Sequence, residues 1–532
     1  MIKNLLPFAS YICLVAFLPL VYTTIRTVSL TKLRDKTFVK ALLKDYLRTF
    51  PACALALLPA LIAPKIMPTY VIALHLVFAP LLVLELGHVH LFRTRIGLNT
   101  FYSLFVSNMR ETKEFIAQNV SRGQLALTAI IHFAPLYLLA KTPAPAFESE
   151  GLRWISVGIA AFLALPFVLN LFKSVDSRKD GYVMNPFTNV IYHYFLFRRN
   201  YRELQRLIAE HAAPPFEGIA SKLPPGTKET YVIVIGESAN ARHFGCYGYG
   251  RATTEFTDRF GAEMIRVPGV RSPFAQTIPS LEKVLTFADN DHADLVYAKG
   301  SIIDWFNDAG FKTYWFSNQY ALDDTALTAM TSHASAGKCF NFSGMKRFEK
   351  AGLDGDMLPE VRKLLANGDG RKVVFLHLIG SHSAYVNRYP DEFHHFEGQA
   401  PGRNLPPEKL QFLNAYDDSI RYTDWFVAEV VKELKSLGGV SYMLYFSDHG
   451  EDIFDSTDAR IMGHGPLANE PMTSVPFLLW TSEELNRLRP DLRTAEAKTG
   501  YNLMNAIHTM IDISSLTGPD YEPAKSVFSG RS

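Results

Sequence analysis

Residues 231–250, YVIVIGESANARHFGCYGYG, decide the fold of the second half of this 532-residue chain. The stretch begins with the apolar run YVIVI and places a single acid, Glu237, close behind it. A short, uninterrupted apolar run is typical of a strand buried on both faces of a parallel sheet. A carboxylate at the carboxyl end of such a strand lies where open α/β sheets bind their ligands. Alternatively, Glu237 caps the helix that follows.

Short apolar runs continue to alternate with helical patterns toward the C-terminus. The further strand candidates are KTYWF (312–316), VVFLHLI (373–379), YMLYF (442–446) and VPFLLW (475–480). Between them, the helical pattern of residues 416–439 places Ile420, Phe426, Val430 and Leu434 near one face. This alternation predicts an α/β domain over residues 229–532, with a mostly parallel sheet covered by helices on both sides.

The first 175 residues have a different composition. They contain five long apolar runs with almost no charged residues, most of which approach the roughly 20 residues needed to cross a bilayer. We therefore predict an N-terminal α-helical transmembrane domain of about five spans over residues 1–175, in which the run FPACALALLPALIAP is the shortest. Residues 176–228 are predicted to form a juxtamembrane bridging helix, rich in aromatic residues and arginine, followed by a proline-rich linker.

Charge and cysteine content narrow the possible partners. The net charge is +2 and no basic patch is interleaved with aromatic residues, so we expect no nucleic-acid partner and look to membrane lipids instead. Cys13 and Cys53 fall in predicted spans, which leaves Cys246 and Cys339 in the second half. These cysteines are too few for a disulfide framework, although one Cys246–Cys339 bridge is compatible with an oxidising compartment.

Polar residues that could hold a metal or a phosphate follow the predicted strands. They are Glu237, Asn318, His377, His382, Asp448 and His449, with His464 in a later MGHGP segment. Carboxylate oxygen and imidazole nitrogen together suit zinc. Alternatively, SDHGE is a polar turn with Gly450 at positive φ, and His382 and His464 are solvated loop histidines.

A candidate nucleophile lies in RSPFAQTIPSLEKVLTFAD, residues 271–289. Thr277 stands just before IPSLEKVLT, which indicates a helix start with Pro279 in its first turn. A helix N-terminus attracts phosphate, and a metal ion activates a hydroxyl by favouring its ionised form. Thr277 could instead be a simple N-cap, and Ser272 and Ser280 are competing hydroxyls.

Several motifs together resemble the bacterial inner-membrane phosphoethanolamine transferases of the alkaline phosphatase/sulfatase superfamily. They are GESANARHFGCYGYGRATTEF, Thr277 before IPSL, HLIGSHSAYVNRYP, NAYDDSIRYTDWFV, SDHGE and GHGP, in the family's order. The resemblance covers most of the chain. It implies a multi-pass transmembrane domain followed by a periplasmic, alkaline-phosphatase-like and sulfatase-like α/β domain.

The resemblance also implies roles for individual residues. Glu237, Thr277, Asp448 and His449 would hold the catalytic Zn²⁺, and Thr277 would become modified with phosphoethanolamine. Contacts to the substrate phosphate or to a second zinc would come from His382 and His464, with His377 as a further candidate. Asn318 is a candidate for the same role from its position after a strand. In the segment SNMRETKEF, the residues similar to the family's lipid-facing positions are Asn108, Glu111, Thr112 and Glu114, although a solvated helix start is an equal alternative.

The implied reaction transfers phosphoethanolamine from phosphatidylethanolamine to a lipopolysaccharide acceptor, either a core sugar or lipid A, by a monomeric enzyme. No cysteine flanks Thr277, unlike in the lipid A branch, and Glu255 stands where the family usually has proline. The segment PSLEKVLTFA is more similar in sequence to the branch of the family that modifies core sugars. The alternatives are a phosphoglycerol transferase of the same superfamily and a catalytically inactive membrane scaffold. A sulfatase is disfavoured because Cys246 precedes YGYGR rather than standing in a C/S-x-P-x-R motif.

One segment is inconsistent with the membrane topology that the resemblance implies. With a cytoplasmic N-terminus and an external catalytic domain, the basic residues 26–48, RTVSLTKLRDKTFVKALLKDYLR, face the periplasm. This placement contradicts the positive-inside tendency. Either the segment lies on anionic lipid headgroups or the count of five spans is wrong.

Overall fold

The computed structural model of the protein describes most of the chain. The described residues are 2–3, 5–27, 36–92, 94–98, 100–101, 104, 113, 116, 120–171, 186–210, 215–319, 325–339, 352–367, 370–456, 468–494 and 497–529. They fall into two compact units. The first consists of Met1–Ser107 and Ile116–Tyr201, and the second of Asn108–Phe115 and Arg202–Ser532.

The first unit is built from helices. Their bounds are α1 Leu5–Thr27, α2 Lys36–Ile62, α3 Met67–Phe92, α4 Arg122–Lys141, α5 Glu150–Leu171 and α6 Pro186–Glu210, the last of which continues into the second unit. Each of the five apolar runs lies largely within one of the helices α1 to α5. Residues 36–48, which the sequence analysis places in a basic loop, instead form the first part of α2.

Two observations bear on how this unit meets a membrane. Among the residues that the structure describes, one helical stretch, Pro64–Phe92, is long and apolar enough to cross a bilayer. Large apolar side chains are exposed throughout the unit; Phe133 on α4 is 64% exposed and Phe162 on α5 is 75% exposed. Beyond Phe195, the exposed large apolar side chains in the described ranges are only Val386, Leu437 and Leu488. The apolar outer surface is therefore concentrated in the first unit, as is typical of protein that faces lipid.

The second unit is organised around a seven-stranded sheet. Its strands are β4 Glu229–Gly236, β5 Met264–Arg266, β6 Lys312–Ser317, β7 Gly337–Cys339, β8 Lys372–His377, β9 Val440–Ser447 and β10 Phe477–Thr481. Their order across the sheet is β5-β10-β9-β4-β8-β6-β7. Short antiparallel pairs join β1 (Ile2–Lys3) to β2 (Ala146–Phe147) in the first unit, and β3 (Ala220–Ser221) to β11 (Leu516–Thr517) in the second.

All five predicted strands are present, and the prediction of a mostly parallel sheet is confirmed. The strands β9, β4, β8, β6 and β7 run parallel. However, β10 pairs antiparallel with both β9 and β5. An apolar run carries no information about strand direction, and the short strands β5 and β7 show no clear pattern in the sequence.

Helices cover both faces of this sheet. They are α7 Glu255–Asp258, α8 Thr277–Val284, α9 Leu295–Ala298, α10 Ile302–Asp308, α11 Ala326–Thr331, α12 Leu358–Ala366, α13 Pro407–Leu437, α14 Glu470–Thr473, α15 Glu483–Leu488, α16 Asp491–Thr494 and α17 Ala506–Ile513. Because successive strand residues point to opposite faces, Ile233 and Ile235 of β4 enter one core cluster and Val232 and Val234 enter the other. The predicted apolar face of α13 is buried against the second cluster.

We expect Phe375→Ala to lower the free energy of unfolding of the second unit by about 3–5 kcal/mol, because it leaves a cavity between the sheet and its helices. Phe375 is fully buried, and its ring centroid lies 5.8 Å from that of Trp315. Urea unfolding followed by tryptophan fluorescence reports on this unit, since four of the five tryptophans lie in it. Val386→Ala, at a side chain that is 63% exposed, should change the value by less than about 0.5 kcal/mol.

Candidate active site

The register of two central strands creates the site. In the parallel pair β4 and β9, Gly236 lies opposite Ser447. The next residues, Glu237 and Asp448, therefore leave the sheet side by side at its carboxyl edge, and both are buried. Ligand atoms of Glu237, Asp448 and His449 lie within 4.8 Å of one another. This cluster is named the ligand cluster below.

Two glycines allow loops to approach this edge closely. A Cβ on Gly450 would lie 2.5 Å from the carbonyl oxygen of Pro471, and a Cβ on Gly380 would lie 2.8 Å from the backbone of Glu237. Gly380 also has a positive φ of 49°, whereas Gly450 is not among the residues with positive φ. The alternative of a simple turn at Gly450 is therefore wrong, because the absent side chain is what this position requires.

Glu237 accepts hydrogen bonds on both carboxylate oxygens. Its Oε2 accepts from Thr277 Oγ1 at 3.0 Å and from Gln319 Nε2 at 2.9 Å. Its Oε1 accepts from Ser238 Oγ at 2.6 Å and lies 3.2 Å from His449 Nε2. Glu237 is therefore part of a site and does not cap a helix.

Only one of the two carboxylate oxygens of Asp448, Oδ1, accepts hydrogen bonds from the described residues. Its Oδ1 accepts from the backbone N–H groups of His449 at 2.7 Å and of Ser238 at 3.2 Å. Its Oδ2 is buried and finds no hydrogen-bond partner among the described residues. His449 donates from Nδ1 to the carbonyl of Gly450 at 2.9 Å, so its Nε2 is the nitrogen that can bind a metal.

Charge balance also favours a cation here. Burial raises the pKa of Asp448, and the charge of Glu237 raises it further. Burial would lower the pKa of His449, but the carboxylates of Asp448 and Glu237 raise it to about 10. A single imidazolium offsets at most one of the two buried carboxylates. Two carboxylates, one neutral imidazole and an unpartnered buried oxygen fit a divalent metal ion that would replace this charge.

Thr277 is the first residue of α8 and faces the ligand cluster. The N-cap position belongs to Gln276, in extended conformation with φ −149°. The Thr277 hydroxyl donates to Glu237 and lies 3.5 Å from His449 Nε2. The alternative of Thr277 as a simple N-cap is therefore wrong. Its position at a helix N-terminus adds first-turn N–H groups that favour an anion.

The competing hydroxyls have a structural role. Ser272 Oγ and Ser280 Oγ both approach the main-chain carbonyl oxygen of Asp448, at 2.5 Å and 2.6 Å, and lie 2.9 Å apart. Both side chains are buried. They stabilise the turn that carries Asp448, so Thr277 is the hydroxyl that the structure brings to the ligand cluster.

His377 lies at the end of β8, and Asn318 directly follows the end of β6. His377 is buried, and its Nδ1 lies 3.0 Å from Ser317 Oγ. Burial lowers its pKa to about 4, so the ring is neutral. Asn318 donates to Asp354 Oδ1 at 2.9 Å. Neither side chain belongs to the ligand cluster.

Asp354 is a residue that the sequence analysis missed. This buried carboxylate accepts from the backbone N–H groups of Ile379 and Gly380, both at 2.9 Å. Through Asp354, Asn318 holds the loop that packs against Glu237. No local sequence pattern identifies Asp354, because its partners are distant in the chain.

His382 lies on the same loop. Its Nδ1 donates to the carbonyl of Ser383 at 2.9 Å. It lies outside the ligand cluster. The remaining predicted site residues, His464, Asn108, Glu111, Thr112 and Glu114, lie outside the described residues.

Four consecutive residues of α13 anchor the loops around the site. Tyr416, Asp417, Asp418 and Ser419 are all buried, and the sequence analysis assigned no role to them. The signal was present as two adjacent acids inside an otherwise apolar helix face. Their hydrogen-bond partners are Ser238 and Asn240 for Tyr416, His243, Tyr249 and Arg251 for Asp417, His394, His395 and Phe396 for Asp418, and Ser381 for Ser419.

His243 carries a buried positive charge in this network. Its Nδ1 lies 2.7 Å from Asp417 Oδ1 and its Nε2 lies 3.1 Å from Asp455 Oδ2. Because carboxylates only accept hydrogen bonds, both ring nitrogens carry protons. Burial would lower the pKa of His243, but the two carboxylates raise it to about 9.

The cysteines do not form the bridge that the sequence analysis left open. Neither Cys246 nor Cys339 takes part in a disulfide bond. Burial raises the pKa of Cys246 to about 12, so this thiol is protonated at neutral pH.

Comparisons with known proteins show the family to which the chain belongs. The sulfatase family matches residues 229–515, and the chain belongs to that family. Along most of its length it is similar to phosphoethanolamine transferase EptC of Escherichia coli K12, with 27% identity over 495 residues, covering 89% of this chain and 85% of the relative. The predicted resemblance to phosphoethanolamine transferases is therefore confirmed.

Two solved structures are also similar. The C-terminal periplasmic domain of Escherichia coli EptC, crystallised as a complex with Zn, superposes with a TM-score of 0.56 and 28% identity, covering 60% of this chain and 92% of that domain. The integral membrane lipooligosaccharide phosphoethanolamine transferase A of Neisseria meningitidis superposes with a TM-score of 0.67 and 18% identity, covering 97% of this chain and 98% of that protein. The second likeness shows a shared fold.

We expect the purified protein to hold about one tightly bound divalent metal ion per chain, because the ligand cluster has uncompensated carboxylate charge. The double variant Asp448→Ala/His449→Ala should lose it, whereas His382→Ala, outside the ligand cluster, should keep most of it. Elemental analysis of the full-length protein gives the metal content. Equal metal content in wild type and double variant would disprove the assignment.

The charge on His243 should make stability depend on pH. Its pKa is about 9 in the folded protein, against about 6.5 when unfolded. Its stabilisation is therefore fully present below about pH 6.5 and is lost as the pH rises through 9, a change of about 3 kcal/mol.

Urea unfolding at pH 6 and pH 9.5 measures this dependence. His243→Gln should flatten it, whereas His292→Gln, at a side chain that is 66% exposed, should follow wild type. A pH dependence that is the same in His243→Gln and wild type would contradict the buried charge.

Proposed function

We propose that the protein transfers phosphoethanolamine from phosphatidylethanolamine to a lipopolysaccharide acceptor through a covalent Thr277 intermediate. The observation that carries the proposal is the Thr277 hydroxyl, which donates to Glu237 at 3.0 Å inside the ligand cluster and at a helix N-terminus. A nucleophile, a metal site and a phosphate-attracting helix end are the parts that phosphoryl transfer needs. The similarity to phosphoethanolamine transferase EptC over 89% of the chain supports phosphoethanolamine as the transferred group.

We assign Zn²⁺ to the ligand cluster, with Glu237, Asp448, His449 and Thr277 as its ligands. The assignment is supported by the oxygen and nitrogen donors, by the buried unpartnered Asp448 Oδ2, and by the zinc complex of the similar EptC domain. When bound, zinc would lower the pKa of the Thr277 hydroxyl and offset the charge of the substrate phosphate.

The chain's own residues then act on the donor in the first step. Glu237 orients the Thr277 hydroxyl by accepting a hydrogen bond from it. Thr277 Oγ1 forms a bond to phosphorus while the bond from phosphorus to the diacylglycerol oxygen breaks, and diacylglycerol leaves with the proton. The first-turn N–H groups of α8 and the His382 side chain stabilise the phosphate oxygens.

The second step regenerates Thr277. An acceptor oxygen attacks the same phosphorus, the bond to Thr277 Oγ1 breaks, and the acceptor's proton returns to the threonine. His464 is assigned to the same phosphate as His382. A phosphoglycerol transferase would use the same steps and differ only in the donor headgroup.

We place the first unit in the bacterial inner membrane and the catalytic unit in the periplasm. The support comes from the exposed apolar surface of α4 and α5 and from the strand pairing of β1 with β2. Because of this pairing, residues 2–3 and 146–147 lie on the same side of the membrane. An even number of crossings between them, here the four helices α1 to α4, has the same consequence. We propose five crossings in total, with Asn108, Glu111, Thr112 and Glu114 near the donor headgroup and the protein acting as a monomer.

We expect Thr277→Ala to slow release of diacylglycerol by at least roughly three orders of magnitude, about 4 kcal/mol of barrier, because the covalent route is lost. Thr277→Ser, which keeps a hydroxyl, should retain part of the activity. Incubation with headgroup-labelled phosphatidylethanolamine followed by mass spectrometry should find one phosphoethanolamine on the peptide that contains Thr277.

Two outcomes would change the proposal. Near-normal diacylglycerol release by Thr277→Ala would show that this residue is not the nucleophile. A preference for phosphatidylglycerol as donor would replace phosphoethanolamine transfer by phosphoglycerol transfer. Mass spectrometry of lipopolysaccharide from cells with and without the protein distinguishes a core sugar from lipid A as the acceptor.

A further inference from the structure

The short segment after α3 is held rigidly by buried side chains of the first unit. Glu85 of α3 is fully buried and accepts from Arg95 Nε at 2.8 Å and from the backbone N–H of Ile96 at 3.3 Å. Asn189 of α6 donates to both oxygens of Glu85 and to the carbonyl of Ile96 at 2.9 Å. His88 donates to the carbonyl of Thr94 at 2.8 Å. Thr94, Arg95 and Ile96 therefore have a fixed backbone.

This rigid segment presents polar atoms that the chain does not satisfy. Arg95 Nη1, Arg95 Nη2 and Thr94 Oγ1 are all buried without a hydrogen-bond partner in the described part of the chain. Each orphaned buried donor is costly, and the cost is greatest for a charged group. The Arg95–Glu85 ion pair uses only the Nε atom on the arginine side. The two Nη groups therefore suit an additional, acceptor-rich anion, and the hydroxyl of the preceding residue, Thr94, is a further unused donor.

The position of the segment indicates where that anion comes from. Arg95 lies three residues beyond Phe92, the end of the stretch that is long enough to cross a bilayer. Close to Asn189 on α6, Ile191, Tyr194 and Phe195 expose apolar and aromatic side chains. Exposed aromatic residues at the end of a membrane span are typical of the headgroup level, where lipid phosphates lie.

We propose that Arg95 and Thr94 bind the phosphate group of a membrane lipid, and that Glu85 and Asn189 position them. The planar guanidinium fork matches two phosphate oxygens, and the threonine hydroxyl can donate to a third. Glu85 keeps the fork oriented by holding Nε. The inference uses the membrane placement of the first unit from the proposed function, but not the transfer reaction.

Two kinds of lipid carry a phosphate group that Arg95 and Thr94 could bind. One is a glycerophospholipid, through its phosphodiester, and the other is lipid A. Lipid binding is measured by native mass spectrometry of the full-length Thr277→Ala protein in detergent, in which phosphoethanolamine transfer through Thr277 is blocked. Phosphatidylethanolamine and lipid A are titrated separately, with diacylglycerol as the phosphate-free comparison. Preference for one phosphate-bearing lipid over diacylglycerol identifies the source, and loss of that preference in the Arg95 variants assigns the binding to Arg95.

Three variants separate phosphate binding from a structural role. Arg95→Lys keeps a charge for Glu85 but lacks the fork, and Glu85→Gln/Arg95→Gln removes the buried pair without leaving a lone charge. Both should weaken phosphate-lipid binding at least about tenfold. Thr94→Val, which preserves side-chain shape, should weaken it about threefold or more.

The matched control is Glu150→Gln/Arg153→Gln, which removes another ion pair of the first unit, 2.5 Å long. Its lipid binding should equal that of the parent protein. Metal content and helical circular dichroism confirm that each variant is folded. Unchanged affinity in folded Arg95→Lys and Glu85→Gln/Arg95→Gln, or equal binding of diacylglycerol, would overturn the proposal. A different result would contradict the proposed function alone. In that case, the protein with Thr277 intact binds the phosphate-bearing lipid but carries no phosphoethanolamine on Thr277.

Discussion

The parallel pairing of β4 with β9 is the constraint on which the site depends. Because Gly236 lies opposite Ser447, the two carboxylates that follow these strands emerge next to each other. A shift of one residue in register would turn one of them to the other face of the sheet. Every residue of β9 and every residue of β4 except Thr230 is buried, so the hydrophobic core that holds this register also holds the ligand cluster. The geometry of the candidate metal site therefore depends on the folding of the sheet.

Keeping negative charges at that edge requires support from the rest of the unit. The Asp448 turn is stabilised by two serine hydroxyls, and the loop behind Glu237 is stabilised by the buried carboxylate of Asp354. The loops farther out depend on α13, where Asp417 binds the imidazolium of His243 and the guanidinium of Arg251. Such buried, fully paired charges are strongly directional, which makes them suited to orienting loops but sensitive to loss of one partner.

The first unit uses polar contacts in a similar way, within an otherwise apolar structure. Glu85, Arg95 and Asn189 connect the end of α3 to the start of α6, where Tyr194 and Phe195 expose aromatic side chains. Buried charged groups in such an environment are costly unless they serve binding or orientation. The unsatisfied groups of Thr94 and Arg95 are the basis of the proposed lipid-phosphate ligand.

The sequence by itself determined the features that depend on local chemistry. These are the five buried strands, the helix that starts at Thr277, and the ligand types of Glu237, Asp448 and His449, since apolar runs, proline in a first turn and donor atoms are all readable along the chain. Only the tertiary structure decided which hydroxyl meets the ligand cluster, because Ser272 and Ser280 are excluded by contacts to Asp448, more than a hundred residues away. It likewise decided the antiparallel direction of β10, the helical state of residues 36–48, the supporting roles of Asn318 and Asp354, and the loop anchors on α13. Those features depend on which residues become neighbours, and periodicity along one chain does not encode the pairing of distant partners.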